Sequence, residues 1–279
     1  MISMQSMHFS YPGQPLFTDL TWDLEAGTVY GLLGRNGAGK TTLLKLMSGL
    51  LFRKEGRIEV LGQDPEHRSP DLLNDIFFIN EEIAIPDMSA AQYEGLYAGL
   101  YPSFSHEDFQ RYLKEFEVDP QQSMAKMSFG QKKKTVLAFG LASNTRILVL
   151  DEPTNALDIP SKGQFRRLLA GAVSDDRVIV VSTHQVRDLD QLIDPITILE
   201  NGQVVFQHSV DEITERLSFG FSNTEPDDAL YSERSMGGFA CITKNDGTED
   251  SRIDLELLFN AVTTNAAEIS DAFSKEALV

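Results

Sequence analysis

The stretch GRNGAGKTT, residues 34–42, lies between an apolar run that predicts a buried strand (VYGLL, 29–33) and a helical pattern that begins at Lys40. This order satisfies G-x-x-x-x-G-K-[ST], the pattern of a phosphate-binding loop. The glycines let backbone N–H groups converge on a phosphate, Lys40 adds a positive charge, and Thr41 offers a hydroxyl to Mg²⁺. The residues predicted to bind nucleotide are Gly34, Arg35, Asn36, Gly37, Ala38, Gly39, Lys40, Thr41 and Thr42.

A second apolar run, ILVLDEP at 147–153, predicts another buried strand and ends in two carboxylates. Asp151 at the strand tip can orient Mg²⁺ through its water, and Glu152 can accept a proton from an attacking water. With the phosphate loop also present, the two motifs predict a site that hydrolyses ATP in the presence of Mg²⁺.

Strand and helix patterns alternate along the chain, which predicts an α/β sandwich around a largely parallel sheet. The segments 196–200 and 203–207 are joined by Asn201-Gly202, which predicts a hairpin with a type I′ turn. Further strands are predicted at residues 2–9, 20–24, 57–61, 75–79, 177–182 and 238–243. Helices are predicted at residues 40–50, 131–141, 160–172, 210–217 and 253–262, with a broken helical region at 89–116 and a turn at 245–250.

Charge is distributed unevenly over the 279 residues, whose formal net charge is −18. From residue 206 to the end, 15 acidic residues face 5 basic ones, so this part contributes −10 and is predicted to form a separate acidic unit. The negative balance disfavours binding to nucleic acid, which requires a cationic surface.

Cysteine content and hydropathy indicate a protein of a reducing compartment. Cys241 is the single cysteine, so no intramolecular disulfide is possible. Residues 1–13 lack the features of a signal peptide, and no stretch approaches the roughly 18 consecutive apolar residues of a membrane span. We therefore expect no direct membrane insertion.

Five motifs in a fixed order resemble those of the ATP-binding subunits of ABC transporters, over about residues 2–207. GRNGAGKTT is similar to Walker A, ILVLDE to Walker B, and NALD at 155–158 to the D-loop. His184 in THQ resembles the switch histidine, and MSFGQ at 127–131 resembles the LSGGQ signature. The resemblance implies catalytic roles for Glu152, His184 and Lys40 and a D-loop role for Asp158.

The resemblance also implies the domain organisation. Residues 1–207 would form an ABC ATPase core of the P-loop NTPase sandwich type, with an N-terminal antiparallel β subdomain and an α-helical subdomain at about 83–142. Residues 208–279 would form a small acidic C-terminal accessory domain of α+β type.

Other family positions are matched less closely. Tyr11 lies 23 residues before the phosphate loop and resembles the aromatic residue that stacks on adenine. Glu81 stands near the position of the Q-loop glutamine, where a carboxylate could contact Mg²⁺ or its water. The implied metal-binding residues are thus Thr41, Asp151 and Glu81.

The signature of one subunit would face the Walker A motif of another, with Ser128, Phe129, Gly130 and Gln131 acting in trans. Ser128 can cap a helix and donate its hydroxyl to a γ-phosphate. Phe129 replaces the first glycine of the signature, and its bulky side chain must point away from the nucleotide. The lysines at 132–134 follow at once, either as a solvated basic face or as a surface that meets an anion.

The implied partners are a second copy of the chain, or a sister ATPase subunit, and a separate transmembrane permease. The chain would then be cytoplasmic and peripheral at the inner face of the cell membrane. The short segment between Glu81 and the signature, together with the acidic C-terminal part, resembles bacterial ABC-2-type exporters. Apolar residues of the helical insert, such as Ile83, Ile85 and Tyr93, are predicted to contact the permease or to belong to the core.

Two other functions use the same motifs. A soluble ABC-type ATPase not coupled to transport would act on ribosomes or DNA, although neither a second cassette nor a coiled-coil or zinc insert is visible in the sequence. A regulatory module that binds ATP without hydrolysing it would fit the departures at Phe129 and Glu81. Measured turnover separates this last function from the first two.

Overall fold

Strands and helices alternate in the computed structural model, which describes residues 1–184, 192–245 and 251–273. The strands are β1 (Ile2–Tyr11), β2 (Gln14–Leu24), β3 (Thr28–Leu33), β4 (Glu55–Val60), β5 (Ile76–Ile79), β6 (Ile147–Asp151), β7 (Val178–Thr183), β8 (Ile196–Glu200), β9 (Gln203–His208), β10 (Leu217–Ser222), β11 (Tyr231–Ser235) and β12 (Gly238–Lys244). The helices are α1 (Lys40–Met47), α2 (Pro70–Leu73), α3 (Ala90–Tyr97), α4 (His106–Glu115), α5 (Phe129–Ala142), α6 (Ile159–Gly171), α7 (Val210–Arg216), α8 (Leu255–Thr264) and α9 (Ala266–Phe273). The predicted α/β alternation is confirmed.

A six-stranded sheet with the order β5-β6-β7-β3-β8-β9 forms the centre of the fold. All neighbouring pairs are parallel except β8 and β9, which form the predicted hairpin. Alternate side chains of each buried strand enter two different hydrophobic clusters. Leu148 and Leu150 of β6 enter one cluster, while Ile147 and Val149 enter the other. Burial on both faces explains why these strands are continuously apolar in sequence.

The first cluster, which contains Ile147 and Val149, lies between the central sheet and the N-terminal strands. These strands form an antiparallel sheet with the order β2-β1-β4. Trp22, Leu20 and Met4 of that sheet are buried with the apolar face of α1. The antiparallel subdomain that the family resemblance implies is therefore present, and it fixes the start of α1 against the central sheet.

The second cluster lies on the opposite face of the central sheet, where it includes residues of α4, α5 and α6 and of the C-terminal part. Helix α5 passes directly over β5. A Cβ atom at Gly140 would lie 2.9 Å from the side chains of both Ile79 and Phe77, so helix and strand are in close contact. This contact sets the position of the signature motif, which starts α5, relative to the end of β5.

The C-terminal part contains elements that the sequence patterns did not predict. Strands β10, β12 and β11 form a three-stranded antiparallel sheet, and α8 contacts β12 and β8. The elements missed in this part are β10, β11 and α9, and α2 was missed earlier in the chain; all four are short. The residues of β11 (YSERS) are partly or fully exposed, and its sequence shows no apolar alternation. The turn predicted at 245–250 falls largely at residues 246–250, outside the described residues.

Within the described ranges, no helix has both the length and the apolar content needed to cross a membrane. Residues of α7, β10, β12 and α8 share the second cluster with the central sheet.

The turn of the β8–β9 hairpin packs closely against strand β2. Asn201 and Gly202 both have positive φ angles, 49° and 73°. In addition, a Cβ atom at Gly202 would overlap the carbonyl oxygen of Leu16 in β2. We expect Gly202→Ala to lower the free energy of unfolding by about 2–4 kcal/mol in a urea titration, because the strained φ angle and the overlap both oppose the alanine.

Gly237 provides the matched control in the β11–β12 turn. Its φ angle is 87°, but a Cβ atom there would meet nothing within 4 Å. Gly237→Ala should therefore cost only the backbone term, about 1–2 kcal/mol. Equal losses in the two variants would show that the contact with Leu16 does not contribute.

Candidate functional site

Most residues predicted to bind nucleotide line one cleft beside the carboxyl ends of the central strands; Gly34 and Ala38 of the phosphate loop do not line it. The cleft has a volume of about 450 Å³. Its walls come from the phosphate loop after β3 and from Tyr11, Glu81 and Glu152. Ligands of parallel α/β sheets bind outside the carboxyl ends of the strands, which is where this cleft lies.

Helix α1 begins at the cleft without a side-chain cap. Its N-cap residue, Gly39, has a left-handed backbone (φ 103°), and within the described residues no side-chain cap accepts from the first N–H groups of the helix. A Cβ atom at Gly39 would lie 2.8 Å from the ring of Phe17, so a side chain cannot be accommodated. Uncapped N–H groups and the positive end of the helix dipole favour an anion. The loop therefore fits the phosphates of a nucleotide.

The Lys40 ammonium group is buried at the base of the cleft. Its Nζ donates to the carbonyl oxygens of Gly34 at 2.8 Å and Arg35 at 3.4 Å, and it lies 3.8 Å from Glu152 Oε1. Burial lowers the pKa of Lys40, while the carboxylates of Glu152, Asp151 and Glu81 act in the opposite direction. The surrounding oxygens thus hold the positive charge of Lys40 at the place where the phosphate loop is predicted to bind phosphate groups.

The Asp151 carboxylate is held through both of its oxygens. Thr41 Oγ1 donates to Oδ2 at 2.7 Å, and Ser182 Oγ donates to Oδ1 at 2.5 Å. A threonine hydroxyl beside a carboxylate matches the oxygen ligands that Mg²⁺ prefers. Thr41 and Asp151 therefore fit Mg²⁺. Ser182 was not predicted, and its signal in the sequence is its position in strand β7, which pairs with β6 at Asp151.

Glu152 follows β6 in a left-handed conformation (φ 45°), which costs about 1 kcal/mol or more for a residue with a Cβ atom. Its backbone N–H donates to the carbonyl oxygen and the hydroxyl of Ser182, both at 3.2 Å. Oε1 lies 2.7 Å from His184 Nδ1. Oε2 is buried and has no hydrogen-bond partner in the part of the chain that the structure describes. Because a buried acceptor without a partner is unfavourable, Oε2 is suited to accept a hydrogen bond from water.

Tyr11 lies at the mouth of the cleft, at the end of β1. Its hydroxyl is 3.1 Å from Thr42 Oγ1, and its ring meets Phe9 edge to face with centroids 5.0 Å apart. The ring remains 44% exposed. It is thus positioned beside the phosphate loop and is available to stack on a base.

The signature residues do not line this cleft. Ser128 caps α5 as predicted: its Oγ accepts from Gln131 N at 3.2 Å, and Gln131 Oε1 accepts from Ser128 N at 3.0 Å. The Phe129 side chain is 46% exposed. Gly130 approaches the chain's own D-loop, because a Cβ atom there would lie 2.8 Å from the carbonyl oxygen of Ala156. Gly130 therefore allows a close contact with Ala156 within the same subunit.

Glu81 and Asp158 both make contacts inside the chain. Glu81 lines the cleft, and its Oε1 accepts from Asn155 Nδ2 at 2.7 Å. Asp158 is the N-cap of α6, where its Oδ1 accepts from Ser161 N at 2.9 Å. Hydrogen bonds with the side chain and the backbone of Ser161 lower the pKa of Asp158. The D-loop thus contacts Glu81 through Asn155 at one end and caps α6 through Asp158 at the other.

The three lysines at 132–134 do not form a common basic face. Lys133 is fully buried, and its Nζ donates to the carbonyl oxygens of Asn80 and Glu81. Lys134 Nζ donates to the carbonyl oxygen of Phe116 at 3.4 Å. Both readings of the sequence, a solvated face or an anion-binding surface, are wrong for Lys133, because helical geometry turns it towards β5.

The contact between Gly130 and Ala156 leads to a prediction about the D-loop. In Gly130→Ala the new methyl group would displace the Ala156 carbonyl and hence the segment 155–158. If that segment is used in hydrolysis, misplacing it should lower ATP turnover by about tenfold or more, because small displacements strongly reduce catalysis. Phosphate release by the purified chain is the measurement.

Gly95→Ala in α3 is the control for this substitution. A Cβ atom there meets nothing within 4 Å, so turnover should be unchanged and helix stability raised by about 0.5–1 kcal/mol. Full turnover in Gly130→Ala would contradict a role for the contact with Ala156.

Comparisons with known proteins agree with this geometry. Residues 17–155 match the model of the family described as ABC transporter. The chain is 30% identical over 217 residues to the arabinose import ATP-binding protein AraG of Escherichia coli O157:H7, covering 73% of this chain and 43% of that protein. It is 25% identical over 217 residues to the ABC transporter ATP-binding protein YtrB of Bacillus subtilis strain 168, covering 77% and 74% of the two chains. The chain thus spans less than half the length of its AraG relatives.

Solved structures with the same fold include an ATP-binding subunit of an ABC transporter, with a TM-score of 0.70 and 23% identity over 76% of this chain and 91% of that one. Another is an ATP-binding cassette solved as a dimer in a post-hydrolysis state with ADP and Pi, with a TM-score of 0.66 and 22% identity over 75% and 99% of the chains. These likenesses establish the ABC ATPase fold for the described chain.

Proposed function

We propose that this chain, which carries the ATPase domain of the ABC transporter family, hydrolyses ATP as one subunit of a dimer and drives a separate transmembrane subunit. The observation that carries the proposal is the grouping of Lys40, Asp151 and the Glu152–His184 pair beside one phosphate loop. These groups supply charge, metal ligands and a proton acceptor, the components that phosphoryl transfer to water requires.

Each residue has a defined task in this mechanism. The N–H groups at the start of α1 and the Lys40 ammonium bind the phosphates and stabilise the charge that develops on them. Glu152 Oε2 accepts a hydrogen bond from the attacking water and takes its proton. His184 holds Glu152 through Oε1 and thereby orients the free oxygen towards the water. Tyr11 stacks on the base.

Mg²⁺ would be held by Thr41 and Asp151, and Glu81 is a further candidate at the rim of the cleft. When bound, the ion neutralises phosphate charge and positions the terminal phosphate. Ser182 keeps the Asp151 carboxylate in place through Oδ1, which leaves the Thr41 side of the group for the metal.

A dimer is proposed because the signature and the cleft are separate. Ser128 to Gln131 lie outside the cleft of their own chain. In the proposed assembly two copies, or one copy and a sister subunit, place each signature on the nucleotide of the other, so that two ATP molecules are enclosed. The Ser128 hydroxyl, which accepts from Gln131 N, still has its own hydrogen to donate to a γ-phosphate.

The helical subdomain supplies the proposed contact with the permease. Ile83, Ile85 and Tyr93, predicted to be either contact or core residues, are partly buried against the second cluster. The exposed large apolar side chains of residues 89–116 are instead Leu96 and Leu100, which are 60% and 55% exposed. Exposed apolar groups at neighbouring positions suit a docking surface. We assign the permease contact to these two leucines.

Export is the proposed direction of transport, and the chain would act at the cytoplasmic face of the membrane. The support is the short segment between Glu81 and the signature, the glutamate itself and the acidic C-terminal part. The AraG relatives are import proteins by name, whereas the name of YtrB gives no direction of transport. The sequence similarity therefore does not support export over import. The acidic C-terminal accessory domain, 208–279, remains a prediction without an assigned role.

The proposal is tested by purifying the tagged chain from detergent-solubilised membranes of its native host, with and without ATP. We expect a multi-spanning membrane protein to co-purify, and Leu96→Ser with Leu100→Ser to reduce its recovery. Recovery with ribosomes or nucleic acid, or without any partner, would overturn the transport proposal while leaving the ATPase site in place. The exposed Phe129 and the Glu81–Asn155 contact favour a regulatory module as the second candidate, and measured ATP turnover would exclude it.

A further inference from the structure

One buried ammonium group outside the catalytic groups has no task in the mechanism above. The Lys133 side chain is 0% exposed, although it belongs to a run of three lysines in the first two turns of the signature helix α5. Lysine is almost never fully buried unless its charge is paired or hydrogen-bonded. Its contacts therefore need a specific explanation.

Both contacts of Lys133 are with the backbone at the end of β5. Its Nζ donates to the carbonyl oxygens of Asn80 and Glu81, each at 3.2 Å. Strand β5 ends at Ile79, so these carbonyl groups belong to the irregular segment after the strand, which pairs with no strand among the described residues. Lys133 supplies the hydrogen-bond donors that the strand no longer provides.

Carboxylates of the site help to keep Lys133 charged. Burial lowers the pKa of Lys133 to about 8, and Asp151, Glu81 and Glu152 act against this shift, Asp151 most strongly. Each of these carboxylates thus favours the ammonium form behind the end of β5. This electrostatic influence agrees with the geometry, in which Lys133 lies against the carbonyl groups at the end of β5.

The segment that Lys133 holds is joined to two further loops. The Glu81 side chain accepts from Asn155 Nδ2 at 2.7 Å, which connects it to the D-loop. The D-loop carbonyl of Ala156 in turn lies against Gly130 of the signature. The contacts therefore close a ring that runs from Lys133 to Glu81, to the D-loop and back to α5, which we call the three-loop ring.

We propose that Lys133 is a positioning residue for ATP hydrolysis, which fixes the backbone of Asn80 and Glu81 and, through Asn155, holds the D-loop in register with the signature. This role rests on the proposed function, because it matters only if the chain hydrolyses ATP. Lys133 does not touch the nucleotide cleft. Its influence passes through Glu81, which lines the cleft, and through the D-loop that starts three residues after Glu152.

The test compares two substitutions of Lys133 with a neighbouring control. Lys133→Met keeps the apolar stem but removes all donors, so the carbonyl groups of Asn80 and Glu81 lose the ammonium group that donates to them. Lys133→Gln is neutral but keeps two N–H donors on a slightly shorter side chain. Lys114→Met removes the same charge from the exposed surface of the neighbouring helix α4.

We expect Lys133→Met to lower kcat by about tenfold or more, because the loops that complete the site lose their register. The affinity for a fluorescent ATP analogue should change by less than about threefold, since the phosphate loop is untouched. Lys133→Gln should recover at least about a third of the wild-type kcat, because its amide can still donate to the carbonyl groups. Lys114→Met should behave as wild type in both assays.

A double-mutant cycle distinguishes positioning from general stability. Asn155→Ala breaks the same ring at the D-loop. If both residues act through the ring, the kcat of the double variant should be no lower than that of the worse single variant. Losses that multiply, or a Lys133→Met kcat equal to that of the wild type, would overturn the inference.

Two further comparisons distinguish a loss of folding from a loss of the proposed function. If Lys133→Met melts below the assay temperature, the Lys133→Gln and Asn155→Ala variants carry the comparison, and a wild-type kcat in Asn155→Ala then rejects the ring. Absence of turnover in the wild-type chain would overturn the proposed function itself, and the inference with it. Turnover in the wild type with no effect of Lys133 overturns the inference alone.

Discussion

Glu152→Gln is expected to lower ATP turnover by about 10²–10⁴-fold while ATP binding is retained. Glutamine has nearly the same shape as glutamate but cannot accept the proton of the attacking water, and general-base catalysis contributes rate factors of about this size. The substitution leaves the phosphate loop and Lys40 unchanged. It also removes one negative charge near the phosphates, so the affinity for ATP should stay the same or rise.

The structure identifies Oε2 as the atom that matters in this experiment. Oε1 is engaged by His184 at 2.7 Å, whereas Oε2 has no partner among the described residues. Single-turnover hydrolysis and binding of a fluorescent ATP analogue should be measured on the same preparation. Glu107→Gln, on the exposed surface of α4, makes the same chemical change and should leave both quantities unaltered. Near-normal hydrolysis by Glu152→Gln would remove Glu152 from the mechanism.

Lys40→Met is the second substitution with a large expected effect, in this case on binding. A charge-assisted hydrogen bond to phosphate contributes about 1.5–3 kcal/mol, which corresponds to a loss of roughly 10–150-fold in ATP affinity. Methionine keeps most of the apolar stem and removes only the ammonium group. Titration with a fluorescent ATP analogue would measure the change.

The stability of the nucleotide-free protein should also fall in Lys40→Met. Methionine avoids the cost of burying an ammonium group, which lowers the pKa of Lys40, but it leaves the buried Glu152 carboxylate and the carbonyl oxygens of Gly34 and Arg35 without their cationic partner. Because losing one member of a buried pair is the larger effect, we expect a lower melting temperature without ATP. Lys45→Met, in the last turn of the same helix, should affect neither ATP affinity nor turnover. A Lys40→Met protein that binds ATP normally would contradict the assigned role of the phosphate loop.

Most of the catalytic site could be predicted from sequence because its chemistry follows short, local motifs. The phosphate loop and Glu152 each come directly after a buried apolar strand, and Asp151 is the last residue of such a strand. Parallel strands bring their carboxyl ends to one edge of a sheet. The type I′ turn at Asn201-Gly202 was predicted for a similar reason, since the two residues themselves accept positive φ angles. The assignment of site residues as a whole remains a prediction until the substitutions above are measured.

Elements without local periodicity were not predicted. Strands β10 and β11 and helix α9 are short. Both strands pair with β12 and α9 contacts α8, so these elements depend on neighbouring elements rather than on their own pattern. The C-terminal residues also enter the second cluster with the central sheet, which composition and charge could not indicate. Charge asymmetry describes the surface of that part and not its packing.

The sequence by itself determined that this protein has a P-loop ATPase fold with a Walker-type site, because glycine spacing and strand-end carboxylates specify local geometry and chemistry. Only the tertiary structure decided which side chains pair across the site. It placed Ser182 on Asp151, Asn155 on Glu81, and Lys133, one of three consecutive lysines, against the end of β5. These pairings join residues up to 74 positions apart. They depend on how helix α5 and the central strands pack, and such packing is fixed by the whole core rather than by any single stretch of sequence.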